Sequence, residues 1–312
     1  MAFTYDRRTI DSAGAFMVGE LEKLDRTLHM PLAAVTWNRD MDLRGDVTIA
    51  DEASSFTLTA FAAAGGVNPG GKNWIGKNSS EIAGIALDIG KTAQPLRLWG
   101  MELGYTIPEL AAAEQLGRPL DAQKYEGIKL KHNMDVDEMV YVGDDMLGVT
   151  GLCNNAGIAP ENVTTDWETA TPDQILDDIN GLLEKGWAQT GYSVCPARVL
   201  LAPVPFARLS RPISAAGSMS ILQYVAEQSI ANGLNGKPLE IAPVKWLTGR
   251  GVAGKNRAVA YTRSEQYVRY PLVPLQRTPL EYRGIHQLCV YFGRLGELEI
   301  VYPETISYAD GM

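Results

Sequence analysis

Residues 62–80 read AAAGGVNPGGKNWIGKNSS, 19 residues with five glycines and neither a helical nor a strand period. On either side the pattern turns to alternation: Phe56, Leu58 and Ala60 interleave with threonines before it, and Ala83, Ile85, Leu87 and Ile89 alternate after it. Period-2 runs of this kind are strand signals. The stretch is therefore a long loop carried on two strand arms, unlike the interior of a compact enzyme. Loops this long without local structure are functional or disordered, not neutral connectors.

Upstream, residues 9–28 have an amphipathic helical pattern, with Asp11 or Ser12 as cap and Phe16, Met17, Leu21, Leu24 and Leu28 returning every three to four residues. Pro31 ends it. Downstream the signal turns helical from residue 107, and Pro119 to Gly143 holds the longest helix of the chain. Tyr125, Ile128, His132, Val136 and Met139 fall on one stripe of it. Its charges run against the helix dipole: Lys124, Lys129 and Lys131 lie in the first half or middle, and Asp135, Asp137 and Glu138 toward the C-terminal end, although Asp121 and Glu126 soften the polarity. The three lysines are therefore expected to meet acidic groups on another segment or subunit.

Beyond residue 151 the pattern becomes mixed. Thr171-Pro172 with Gln174 forms a capping-box start to a helix bearing Ile175, Ile179, Leu182 and Leu183, closed at Lys185-Gly186. A strand is expected at 198–201, a helix from Ser220 and Gln223 to Asn232-Gly233, and strands at 241–247 and 257–262. HQLCVYF (286–292) and ELEIVY (297–302) read as a closing antiparallel pair. There is no internal repeat.

The chain has 312 residues, enough for a sizeable core without a disulfide or metal staple. With Lys plus Arg at 28 and Asp plus Glu at 37, the net charge of −9 excludes a general phosphate-backbone binder, whose affinity comes from clustered cations. No apolar signal segment follows the N-terminus, and no run of about 18 uncharged apolar residues marks a membrane span. Cys153, Cys195 and Cys289 are scattered and odd in number, as buried free thiols in a reducing cytosol would be.

Motifs that could carry chemistry are incomplete. Gly66 to Lys72 spells G-x-x-x-x-G-K, but Asn73 stands where a magnesium-binding hydroxyl is needed, and no helix opens after it. Ile89-Gly90-Lys91-Thr92 has its upstream glycine one residue too far away, at Gly84, and Pro95 blocks a helix. Gly249, Gly251 and Gly254 form G-x-G-x-x-G, yet the strand-like NRAVAYT follows, so these glycines make a turn. His29, His132 and His286 lack ligand spacing, and His286 and Cys289, three apart in a strand, face opposite ways. No G-x-S-x-G elbow or paired thiolate is present. The acids Asp135, Asp137, Glu138, Asp144 and Asp145 read as a solvated or interfacial helix face.

The order of parts, together with TYDRRTIDSAGAF (4–16), TIADEASSFT (48–57), GKNWIGK (71–77), MDVDEMVYVGD (134–144), GVTGLCNN (148–155) and the closing YRGIHQLCVYFGRLGELEIVYPETISYADGM (282–312), resembles the major capsid proteins of tailed bacteriophages with the HK97-type fold. More closely, it is similar to a phage-coat subfamily catalogued as a domain of unknown function. The resemblance covers nearly the whole chain and implies an α+β fold. It implies an N-arm at 1–44, an E-loop with flanking strands at 45–95, a peripheral domain with a long spine helix at 96–150 and 278–312, and an axial domain at 151–277. No long N-terminal scaffolding segment precedes the arm, so the expectation is either that scaffolding is a separate protein or that the prohead segment is absent from this chain. The function implied is an icosahedral head enclosing double-stranded DNA. Its partners would be copies of the chain as hexamers and pentamers, with portal, scaffolding or cement proteins and non-specifically held DNA. No catalytic residue, cofactor, metal or membrane is implied, and the place of action would be the virion capsid after synthesis in the host cytoplasm.

Two rival readings are an encapsulin-like nanocompartment shell of the same fold and, in another class, a cytosolic phosphate-binding enzyme using Gly66–Lys72. For the shell, the expected contacts between subunits are Phe16 and Leu21 on the arm, Trp74 and Ile75 in the loop, and the three lysines. Trp74 and Ile75 have no local apolar partner, and leaving them in water forgoes roughly 1.5–3 kcal/mol each.

Overall fold

In a computed structural model, residues 31, 33–63, 77, 85–115, 120–163, 165–213 and 219–312 are described. Phe16, Leu21, Trp74, Ile75 and the Gly66–Lys72 motif lie outside them.

The chain enters through a one-turn helix α1 (Trp37–Asp40) and strand β1 (Asp42–Arg44). The two alternating arms form an antiparallel hairpin, β2 (Ala53–Ala63) with β3 (Ile85–Pro95), as their period required. Strand β4 (Arg97–Thr106) leads into helix α2 (Ile107–Gln115) and then the long helix α3 (Leu120–Tyr141). A tight hairpin, β5 (Gly143–Asp144) and β6 (Val149–Thr150), follows. Next come β7 (Pro160–Asn162), α4 (Pro172–Gln189), β8 (Arg198–Leu201), α5 (Pro203–Leu209), α6 (Ile221–Gln228), α7 (Ile230–Asn235), β9 (Glu240–Pro243) and β10 (Arg257–Tyr261). The last strands are β11 (Val268–Arg277), β12 (Glu281–Arg283), β13 (His286–Leu295), β14 (Glu299–Ile300) and β15 (Ser307–Asp310).

The strands form two larger sheets. In one, β1, β11, β13 and β12 lie side by side with β4 paired to β13; in the other the order is β7-β15-β10-β8-β9. The stripe on α3 settles against β4 and β13, where Ile128 packs among Leu103, Tyr105, Cys289 and Tyr291. Further along α3, Val136, Val140 and Tyr141 join a core shared with Leu200, Tyr261, Tyr270 and Tyr308 from both sheets. Ile175, Ile179, Leu182 and Leu183 of α4 cover the far side of the second sheet with Val199, Leu201 and Val225. The capping box forms as expected, with Thr171 and Gln174 bonded reciprocally.

Four features differ from the sequence expectation. Helix α4 continues past Gly186 to Gln189, because that glycine serves close packing: a Cβ there would lie 2.7 Å from Pro196 Cγ. The helix opened by Ser220 breaks at Ser229, whose extended backbone caps a second helix ending at Asn235. The last segments do not pair with each other, since β13 pairs with β4 and β11 while β14 pairs with β11. The 241–247 strand stops at Pro243, and a 3-10 turn at Lys245–Leu247 turns Trp246 toward α3.

Buried carboxylates join the pieces. Asp137 on α3 accepts the Thr36 N–H at 2.8 Å, the Trp37 N–H at 3.0 Å and the Trp246 indole N–H at 2.7 Å, with Lys245 Nζ at 3.4 Å. Asp40 of α1, also fully buried, accepts Arg198 Nη2 of β8 at 2.9 Å and the Tyr141 hydroxyl of α3. Glu299 holds Arg44 at 3.0 Å, Arg269 at 2.6 Å and the Ser54 hydroxyl, which ties the hairpin base to β1 and β11. Asp310 pairs with Arg257 at 2.7 Å and accepts the Val252 N–H at 3.1 Å.

Two predictions follow from these interior polar groups. Asp137→Ala leaves three N–H donors, one buried and two part-buried, without an acceptor, so urea denaturation should show a loss of about 3–5 kcal/mol, while Asp137→Asn, which keeps one acceptor oxygen, should lose less. His132, only 5% exposed, meets Trp99 edge-on, and burial lowers its pKa from 6.5 against the opposing pull of Asp135. Its neutral form is favoured in the folded state, so the unfolded chain binds the extra proton. This contribution is present above pH 6.5 and is lost as the pH falls through that value toward the lowered one. Between pH 7 and 5 the urea midpoint of the native chain should therefore fall more than that of His132→Phe.

Candidate assembly interface

Of the lysines expected to compensate α3, one meets another segment. Lys124 Nζ reaches Glu109 of α2 at 2.9 Å and the Gly104 carbonyl at 3.0 Å, and lies over the Tyr105 ring. That ammonium, with the Thr106 N–H, holds the Glu109 carboxyl below its usual range. Within the single chain, Lys129 and Lys131 pair inside α3, with Glu126 at 3.8 Å and with Asp135, and more than half of each side chain stays exposed. Spacings of three and four residues put those groups on one helix face. The acidic end is instead answered by N–H donors, since Trp99 donates its indole N–H to Asp135 at 2.8 Å and Asp137 receives the three described above. Nothing in the local sequence marks Trp246, 109 residues away, as one of those donors.

The β2–β3 hairpin forms a sheet of its own. Its register pairs Phe56 with Thr92 and Leu58 with Gly90 on one face, and Thr59 with Ile89 on the other, which Leu87 shares. The first face turns toward the body at its base, where Ser54 is buried against Glu299. On the second face Leu87 is 53% and Ile89 59% exposed. Alternation in a hairpin this long implies a buried side, and in the single chain that side is open to water.

A second uncovered surface lies on the large sheet opposite α3. The pairing of β4 with β13 places Leu98 beside Arg294, Gly100 beside Phe292, Glu102 beside Val290 and Gly104 beside Leu288 on that face. Leu98 is 67% exposed and Phe292, Val290 and Leu288 are half-buried. At the sheet's end, Leu280, Tyr282, Ile285 and Ile107 are also exposed, with the Ile107 N–H bonded to the Ile285 carbonyl at 3.0 Å.

Catalytic convergence is not what these groups provide. Burial pushes the thiols of Cys153 and Cys195 up, away from the nucleophilic thiolate, and all three cysteines are free and buried. Among the described residues no group of three or more His, Cys, Asp or Glu side chains has metal-site geometry, and no helix is long and apolar enough to cross a membrane. Gly249, Gly251 and Gly254 lie in the connection before strand β10, as the sequence indicated, and not between a strand and a helix.

Among curated protein sequences none matches the chain. The family model for major capsid proteins matches residues 70–312. The fold is similar to the capsid of Myoviridae phage XM1, with a TM-score of 0.75 and 16% identity over 94% of this chain and 98% of that one. It is also similar to a chain of Mycobacterium phage Adephagia, with a TM-score of 0.62 and 10% identity over 99% of both chains. A virus-like particle from Pyrococcus furiosus is similar with a TM-score of 0.51 and 13% identity over 97% of this chain and 99% of that one. With the matched family, the nanocompartment rival is not better supported. The chain belongs to the major capsid protein family: it is a structural shell protein with the HK97-type fold of tailed-phage capsids, and not an enzyme.

Proposed function

We propose that the chain assembles with copies of itself, as hexamers and pentamers, into the icosahedral head of a tailed phage that encloses double-stranded DNA. The observation that carries this reading is the β2–β3 hairpin, whose Leu87 and Ile89 face water in the single subunit. Apolar alternation on a projecting two-stranded arm stabilises only against a second surface, and a closed shell supplies one from a neighbour. The matched family and the particle-forming proteins of the same fold support it.

Within this reading residues 1–44 are the N-arm that ties neighbours together, 45–95 the E-loop and its strands, 96–150 and 278–312 the peripheral domain built on α3, and 151–277 the axial domain. The C-terminal strand β15 returns into the sheet of the middle segment beside β10, and β11 runs in the sheet of β4 and β13, so chain and space interleave at that boundary. Phe16, Leu21, Trp74 and Ile75 serve as contacts to neighbouring subunits. A net charge of −9 suits a container that holds DNA only non-specifically, because a cationic lining would grip it through phosphate contacts. Portal, scaffolding or cement proteins complete the partners, and synthesis takes place in the host cytoplasm.

Negative-stain microscopy of the expressed chain should show shells or capsomers, and a compact monomer alone overturns the reading. Leu87→Asp with Ile89→Asp should leave a folded, soluble subunit with an unchanged urea midpoint and abolish particles, because those side chains contribute to the shell and not to the subunit core.

A further inference from the structure

Two faces of the subunit stand open to water, and their side chains repeat at one spacing. On the outer face of the β2–β3 hairpin, Leu87, Ile89 and Lys91 follow one another at every second residue of β3, all exposed and about 7 Å apart. On the open face of the large sheet, Leu98, Gly100 and Glu102 do the same along β4, and they too are exposed. Neither Lys91 nor Glu102 has an ion pair among the described residues. Gly100 leaves a gap in its row, where a Cβ would stand 3.6 Å from Phe292 Cβ. The corresponding gap at Gly104 is filled from within, since a Cβ there would lie 2.9 Å from Leu288 Cδ2. The hairpin thus presents two apolar side chains and a cation, and the sheet presents an apolar side chain, a recess walled by Phe292 and an anion.

We infer that these two faces are partners between copies of the chain: the hairpin of one subunit lies on the open sheet face of a second, with Leu87 over Leu98, Ile89 in the recess beside Phe292 and Lys91 against Glu102. This rests on the shell reading and names the surface that covers the hairpin. In aligned packing, two sheets keep their strands within about 30° of each other, so β3 runs along β4 in one of two directions. The parallel direction brings cation to anion. The antiparallel one sets Lys91 over Leu98, whose neighbour on that face is Arg294, and buries Glu102 under Leu87. That combines a like-charge approach with an unpaired, desolvated carboxylate.

The chain's own hairpin cannot take this place. Strand β3 ends at Pro95 and β4 starts at Arg97, with Leu96 alone between them. With Lys91 above Glu102 in the parallel direction, Pro95 would lie above Thr106, at the far end of β4 and about 30 Å along the sheet from Arg97. The chain from Pro95 to Arg97 spans at most about 7 Å. The base of the hairpin is also fixed the other way round, since Ser54 of the inner face is buried on Glu299 and the Leu96 N–H is bonded to the Glu52 carbonyl at 2.9 Å. A hairpin from a second copy carries no such tether.

The test pairs Leu87→Cys with Leu98→Cys in shells assembled from the full chain, whose own three cysteines are buried. A short bismaleimide should link different chains into dimers and larger species on a denaturing gel, because each copy both gives and receives the contact. An intrachain bridge alone, or no bridge in shells that form normally, overturns the inference while leaving the shell reading intact. Absence of particles from the native chain overturns both. Charge reversal decides the matter where the cysteine pair forms no shells: Lys91→Glu and Glu102→Lys should each lower particle yield by about tenfold, and the two together should restore it. Normal yield from either single variant, or failure of the pair to rescue, counts against the inference.

Discussion

The carboxylate of Asp137 sits at the end of a 22-residue helix where the backbone dipole already concentrates negative charge. A buried anion there is tolerable only if donors converge on it, and the chain supplies them from both sides in sequence: two backbone N–H groups at the start of α1 and the indole of Trp246. The arrangement has consequences beyond the pair itself. Using the first N–H groups of α1 as donors orients that short helix, so that Asp40 at its far end meets Tyr141 and Arg198. One helix, the entering chain and the second sheet are thereby locked in a single register that apolar packing alone leaves free to slide.

Much of the fold was legible in local pattern. The 3.6-residue stripe placed the long helix within two residues of its observed ends, and the Thr171–Gln174 box placed the start of α4. Alternation also identified β2 and β3 as partners before any contact was known. What pattern could not show is who answers whom across distance. The dipole argument pointed to partners for the lysines of α3, and within the single chain Lys129 and Lys131 find them at i,i+3 and i,i+4, where pairing costs nothing in loop closure. Much of the compensation at Asp135 and Asp137 comes from N–H groups, which carry no formal charge and leave no trace in a charge count.

The glycine motifs failed as chemistry for a related reason. A G-x-G-x-x-G string is meaningful only between a strand and a helix, and here residues 249–254 lead directly into β10, with Gly249 N–H bonded to Asn256. Similarly, Gly186 reads as a helix stop but works as a close approach to Pro196. In both cases the residue type was informative about backbone need and silent about which need.

The remaining buried ion pairs fall at places where a projecting segment leaves the body. Glu299 holds Arg44 and Ser54 where the β2–β3 hairpin begins, and Asp310 holds Arg257 and the backbone of Val252 at the loop before β10. Such pairs add little net stability over well-packed apolar side chains, since desolvation offsets most of their attraction. Their value is directional: a bidentate guanidinium–carboxylate contact permits one orientation, whereas an apolar contact permits many. A lone enzyme domain gains little from fixing the angle of a surface hairpin. A shell gains much, because an angular error at the base of an arm is multiplied along its length and repeated in every subunit, and closure depends on that angle.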